Sequence, residues 1–135
     1  MNNCIMINTQ NWPVCVMNSF PTTMMETQSW LSELEQLLTK KTPFVLIYPP
    51  MESKGKPTEE DMECMKFVRR WLKEGREAMA EYCRAMVITL QPDGRDKDEM
   101  ERTAPVISSL YGPEVFLVGS SQAAQQQATE ILNGL

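Results

Sequence analysis

The residues able to do chemistry gather in three short loops and on one helix. Glu52 and Lys54, with Ser53 and Lys56, lie in PPMESKGKP (49–57). Asp93, Arg95 and Asp96 lie in QPDGRD (91–96), and Ser120 and Ser121 lie in GSS (119–121). Carboxylates, cationic groups and hydroxyls of this kind bind anions or small polar ligands, and in a closed pocket they would serve a minor enzyme. What is missing narrows the chemistry further. The chain has no histidine, which removes the commonest general base, the commonest metal ligand and every Ser-His or Cys-His nucleophile pair. Catalysis by Asp, Glu, Lys, Tyr or a lone Cys stays open, but a non-catalytic role is favoured. No catalytic residue is assigned, and no metal or cofactor is expected.

The 49–57 loop has two readings, a binding loop or a hinge between strand and helix. A phosphate loop needs glycines whose N–H groups face the anion, a helix N-terminus and usually a lysine. This loop has only Gly55, and it leads into Glu59, Glu60 and Asp61, which would repel a phosphate. The hinge is the favoured reading. GSS is the better anion site electrostatically, but helix capping by serine alone explains it and is the favoured reading.

KFVRRWLKEGR carries the other candidate. At about 100° per residue, Lys66, Arg69, Arg70 and Lys73 group opposite Val68, Leu72, Gly75 and Met79. A solvated outer face is the favoured reading; the alternative is a docking strip for an acidic partner or an anionic lipid surface, with Trp71 at its border. Eleven methionines are many for this length. Soft core filling is the default, and Met24, Met25, Met51 and Met62, near element ends, are the ones to find exposed if they form an interface. Cys4, Cys15, Cys64 and Cys83 form no C-x-x-C pair and read as small buried hydrophobes. A Cys4–Cys15 disulfide across a hairpin has no support beyond its position.

The elements that must position these residues follow from periodicity. CIMIN (4–8) and VCVMNS (14–19) read as two strands, antiparallel around TQNWP. A helix follows, capped by Thr22 or Thr23, with Glu26 at capping-box spacing and a stripe of Trp30, Leu31, Leu34, Leu37 and Leu38. FVLIY (44–48) is apolar without alternation, as in a strand buried on both faces. The next helix starts at Thr58 and runs to Tyr82, with a core stripe of Met65, Val68, Leu72, Gly75, Met79 and Tyr82. Gly75, costly in a helix interior, suggests close packing on the sheet. AMVITL (85–90) and EVFLVG (114–119) repeat the buried-strand signature. Between them a helix over 96–111 carries Met100, Ala104, Ile107 and Leu110, and Pro105 is expected to kink or interrupt it. A last helix, capped by Ser120 or Ser121, presents Ala124, Ala128, Ile131 and Leu135.

The order β-β-α-β-α-β-α-β-α predicts one α/β domain over 1–135. Its single-layer sheet has about five mostly parallel strands, an antiparallel N-terminal edge and four flanking helices. A chain of 135 residues, 42% of them apolar, suffices for such a core. Net charge −5 argues against a general nucleic-acid binder. No apolar run approaches a membrane span, peripheral membrane contact is not expected, and MNNCIMINTQNW lacks the features of a secretory signal. The expected location is the cytoplasm.

An initial strand pair followed by β-α units with four helices resembles the STAS and anti-sigma-antagonist-like domains, and also small bacterial α/β proteins. The resemblance covers almost the whole chain as topology. That family places a phosphorylatable Ser or Thr in an Asp-Ser-Ser/Thr-Gly type turn at a helix start. PTEED and PDGRD stand at such places without the motif, and VGSSQ has the serines before the last helix. The resemblance therefore implies the fold rather than a phosphoswitch. A flavodoxin-like or response-regulator-like fold is the rival, weakened because this chain has neither an acidic pair nor a glycine- or Ser/Thr-rich phosphate loop after its first strand. The resulting expectation is a cytoplasmic domain acting through a protein partner or as a homodimer. Its alternative is a small-ligand or anion-binding protein using the strand-end loops.

Overall fold

The structure is a computed structural model and describes residues 6–18, 21, 23–50 and 58–134. Its elements are β1 (Ile7–Asn11), β2 (Val14–Met17), α1 (Met24–Thr39), β3 (Phe44–Tyr48), α2 (Glu59–Tyr82), β4 (Cys83–Thr89), α3 (Lys97–Tyr111), β5 (Glu114–Val118) and α4 (Ser121–Asn133). They form one five-stranded sheet of order β1-β2-β3-β4-β5. β1 pairs antiparallel with β2, and β2 to β5 are parallel throughout, as the alternation of strand and helix required.

Each β-α-β crossover steps to the next strand in the same direction. Crossovers of one hand then place α1, α2 and α3 on one face, and α4 returns beneath the other. The side chains divide accordingly. Leu46, Tyr48, Met86 and Ile88 point into a core with Trp30, Leu31, Leu34, Leu72, Met79 and Met100. Their neighbours in sequence, Val45, Ile47, Ala85 and Val87, point to Ala124 and Ala128 of α4. Both alanines are fully buried; their small side chains let α4 approach the sheet closely.

Local chemistry sets the element ends. The Thr23 hydroxyl accepts the Glu26 N–H at 3.1 Å, and Thr58 and Asp61 complete a capping box at 3.1 and 2.9 Å. The Ser120 hydroxyl accepts the Ala123 N–H at 3.1 Å. The two Glu33 carboxylate oxygens accept the Met6 and Ile7 N–H groups at 2.8 and 2.9 Å, so α1 holds the start of the edge strand.

Several expectations change. The first strand runs three residues later than CIMIN suggested, because the turn is only Trp12 and Pro13, with Trp12 stacked on Phe44 and Lys40 over its ring. Cys4 and Ile5 lie outside the described residues, and Cys15 is a free thiol. α3 is assigned as one helix through Pro105. Met65, expected in the core, is 51% exposed, although at about 100° per residue it lies only about 40° from the buried line through Val68, Leu72 and Met79; it stands in the second turn of α2, N-terminal to all three. A Cβ on Gly75 would meet the Trp71 ring at 3.0 Å, so that glycine makes room for an indole on its own helix rather than for the sheet. β5 is an edge strand with half-exposed side chains, not a buried one.

Gly112 ends α3 at φ +107°, and a Cβ there would lie 3.0 Å from the Ala80 Cβ and 3.3 Å from the Arg76 carbonyl oxygen. Gly112→Ala therefore combines backbone strain with a clash against α2, and it is expected to lower stability by about 2 kcal/mol, read as a lower urea midpoint at unchanged slope.

Burial also sets a pH limit. It pushes the Cys15 and Cys83 thiols from 9.0 up to about 12, against a lowering by Lys40 at Cys15 and by backbone hydrogen bonds at Cys83. It raises the Tyr111 hydroxyl from 10.0 to about 12. The unfolded chain loses these protons at lower pH than the folded one. Their contribution is complete below pH 9.0 and is lost as pH climbs toward about 12. Urea midpoints measured in alkaline steps are expected to fall across that window, less steeply for Cys83→Ala.

Candidate docking groove

In the two described loops at the strand carboxyl ends, Asp93, Asp96 and Ser120 accept hydrogen bonds from backbone N–H groups beside them. Glu52, Ser53, Lys54 and Lys56 lie outside the described residues. In the 91–96 turn, the Gln91 N–H donates to Asp96 Oδ1 at 3.0 Å and the Arg95 N–H to Asp93 Oδ1 at 3.1 Å. The Arg95 guanidinium stays 3.9 Å from the same Asp93 carboxylate, and both side chains are mostly exposed. Gly94 adopts φ +72° to close this turn. Ser120 is occupied as a cap, and Ser121 is the exposed first residue of α4. The two clearest concavities of the described surface lie elsewhere. Among the described residues no group of three or more acidic or cysteine side chains is arranged to hold a metal. No described helix is long and apolar enough to cross a membrane.

The larger concavity is an open groove of about 650 Å³ between α2 and α3. Arg69, Leu72, Lys73 and Arg76 form one wall; Pro105, Val106, Ser109 and Leu110 form the other. Positions 69, 73 and 76 are neighbours on one helix face. Met62 and Met65, seven and four residues earlier, extend that face, at 53% and 51% exposure. Val106 is 64% exposed on the opposite wall. The groove thus sets three cations beside bare aliphatic surface, on a chain whose net charge is −5.

Arg76 also ties the walls together. Its Nε and Nη2 donate to the Ser109 carbonyl at 3.2 and 2.9 Å. That carbonyl's helical donor would be residue 113, a proline without an N–H. The guanidinium replaces the missing bond and fixes the spacing of α2 and α3.

The residues of the basic stripe separate in the structure. Arg69 and Lys73 line the groove. Lys66 stands 3.7 Å from Glu63 on the exposed surface, and Arg70 is exposed outside the groove. Trp71 turns to the opposite side, where its indole N–H donates to Glu35 of α1 at 2.7 Å. It packs half-buried against the core. Arg76, Val106 and the exposed face of Leu110 were not singled out from the sequence. The i, i+4, i+7 spacing of 69, 73 and 76 was the signal for the first, but nothing local marked the other two, because exposure on α3 depends on where α2 stops covering it.

Comparison with protein families, with curated proteins and with solved structures gives no match for this chain. Arg76→Ala is expected to lower stability by about 1 kcal/mol, the worth of an exposed hydrogen bond. Amide exchange should accelerate selectively in the last turn of α3.

Proposed function

We propose that the chain is a non-catalytic, cytoplasmic docking module of STAS-like architecture, and that its partner is an acidic amphipathic helix lying in the α2–α3 groove. The observation that carries this reading is the pairing of Arg69, Lys73 and Arg76 with the exposed Val106 and Leu110 across one open groove. Such a surface matches the helix-in-groove mode, in which apolar anchors at i, i+3 and i+4 supply affinity. The cations supply orientation and speed of encounter. The openness of the groove favours a macromolecule over an enclosed metabolite. Met62 and Met65 suit the same role, because thioether side chains adapt to the surface they meet.

A displayed library of helical peptides tests this. Selection on the wild-type chain is expected to enrich sequences with Asp or Glu beside Leu, Ile or Met at i, i+4 spacing. Binding should weaken steeply with salt. Arg69→Glu with Lys73→Glu, and separately Val106→Asp, should each abolish the enrichment without changing the urea midpoint. Enrichment that survives both would refute the groove as the docking surface.

A further inference from the structure

The two edges of the sheet are built differently. β1 carries polar residues, INTQN, exposed after Ile7, and its pairing with β2 shifts register between Asn8 and Asn11. Polar side chains and an irregularity of this kind blunt an edge against pairing. β5, EVFLV, has neither. Its register with β4 runs without a break from Glu114 to Val118. It holds no lysine or proline, and its four apolar side chains stay half-exposed.

The hydrogen-bonding sides of β5 can be assigned. The Val118 carbonyl accepts the Leu90 N–H at 2.7 Å, so residue 118 faces β4, and with it residues 116 and 114, because sides alternate along a strand. Val115 and Leu117 therefore direct both N–H and C=O groups away from β4. Outside the β4–β5 ladder, no described backbone bond reaches either residue. α3 does not roof this edge. It leaves a trough of about 370 Å³ between Pro105 and Ser108 on one side and Val115 and Leu117 on the other.

We infer that β5 is the interface to a second copy of this chain, paired antiparallel about a two-fold axis through Phe116. This inference does not depend on the α2–α3 groove. In that register Val115 lies opposite Leu117 of the second copy, and Leu117 opposite its Val115. Each free donor meets a free acceptor, which gives four new hydrogen bonds of the closely spaced antiparallel kind. Phe116 meets its own counterpart at the centre as a non-hydrogen-bonded pair. Val115 and Leu117 stay on the face of α1–α3, and Phe116 and Val118 on the face of α4, so apolar side chains meet apolar ones. Glu114, the one charged residue of the strand, falls opposite Val118. A parallel arrangement would bring the two Glu114 carboxylates together. Pro113, which has no N–H, ends the ladder. The pairing closes at two copies and joins two five-stranded sheets into one.

Amide exchange of the wild-type chain, followed over roughly a hundredfold range of concentration, tests the inference together with sedimentation equilibrium. The mass should rise to that of a dimer and no further. Val115 and Leu117 amides should slow by roughly tenfold or more in step with it, while that of Phe116, already bonded to β4, changes little. In a Cys4→Ser, Cys64→Ser background, Phe116→Cys should give a disulfide-linked dimer on mild oxidation, because Cα atoms of such a central pair lie about 4.5 Å apart. Glu114→Cys should not. A monomer mass at every concentration overturns the inference, as does a dimer that leaves the Val115 and Leu117 amides unprotected. Growth beyond two copies, or cross-linking through residue 114 as readily as through 116, overturns it too.

Discussion

β3 and β4 lie side by side at the middle of the sheet, and Val45, Leu46, Ala85 and Val87 have no measurable surface left. Strands of this kind cannot tolerate solvent on either face, so each needs a helical layer above and below. The three crossover helices supply one layer because their connections share a hand. α4 supplies the other, and its two buried alanines allow it to lie against β3 and β4 together. Remove this two-sided demand and neither the helix positions nor the strand order has a reason.

Coverage is uneven because the demand weakens toward β5. α4 packs chiefly on β3 and β4, and α3 covers only part of β5. Among the apolar side chains left half-wet are those of β5 and the outer turns of α3. The groove and the free strand edge therefore lie toward the same end of the molecule. They arise from one cause, a layer of helices that ends before the sheet does.

The helices on the crowded face are tied by a few polar links at its surface. Glu60 accepts the first α1 N–H at 3.1 Å, Glu35 accepts from Trp71, and Arg76 serves the Ser109 carbonyl. Each satisfies a group that an ideal helix or a wholly apolar pocket would leave unpaired. They fix the lateral spacing of α1, α2 and α3, which burial alone leaves loose. Trp71, which looked available for binding, is thereby committed to structure; Arg76 is partly so, but it faces the groove as well.

The sequence by itself determined which segments are helices and which are central strands. Apolar runs without alternation at 44–48 and 85–90 admit only a two-sided burial, and Thr23, Thr58 and Ser120 announce the helix starts through the short reach of a hydroxyl to a backbone N–H two or three residues on. Those are local constraints, and local patterns carry them. Which side of each element would meet water was decided by the tertiary structure. Val106, Leu110, Met65 and Phe116 are apolar residues in sequences that look fit for a core, and their exposure follows only from where α2, α3 and α4 come to rest. The separation of Arg69 and Lys73 from Arg70 and Trp71 has the same origin. One turn of a helix distinguishes them only after a neighbouring helix has taken one side, and that neighbour is more than thirty residues away along the chain.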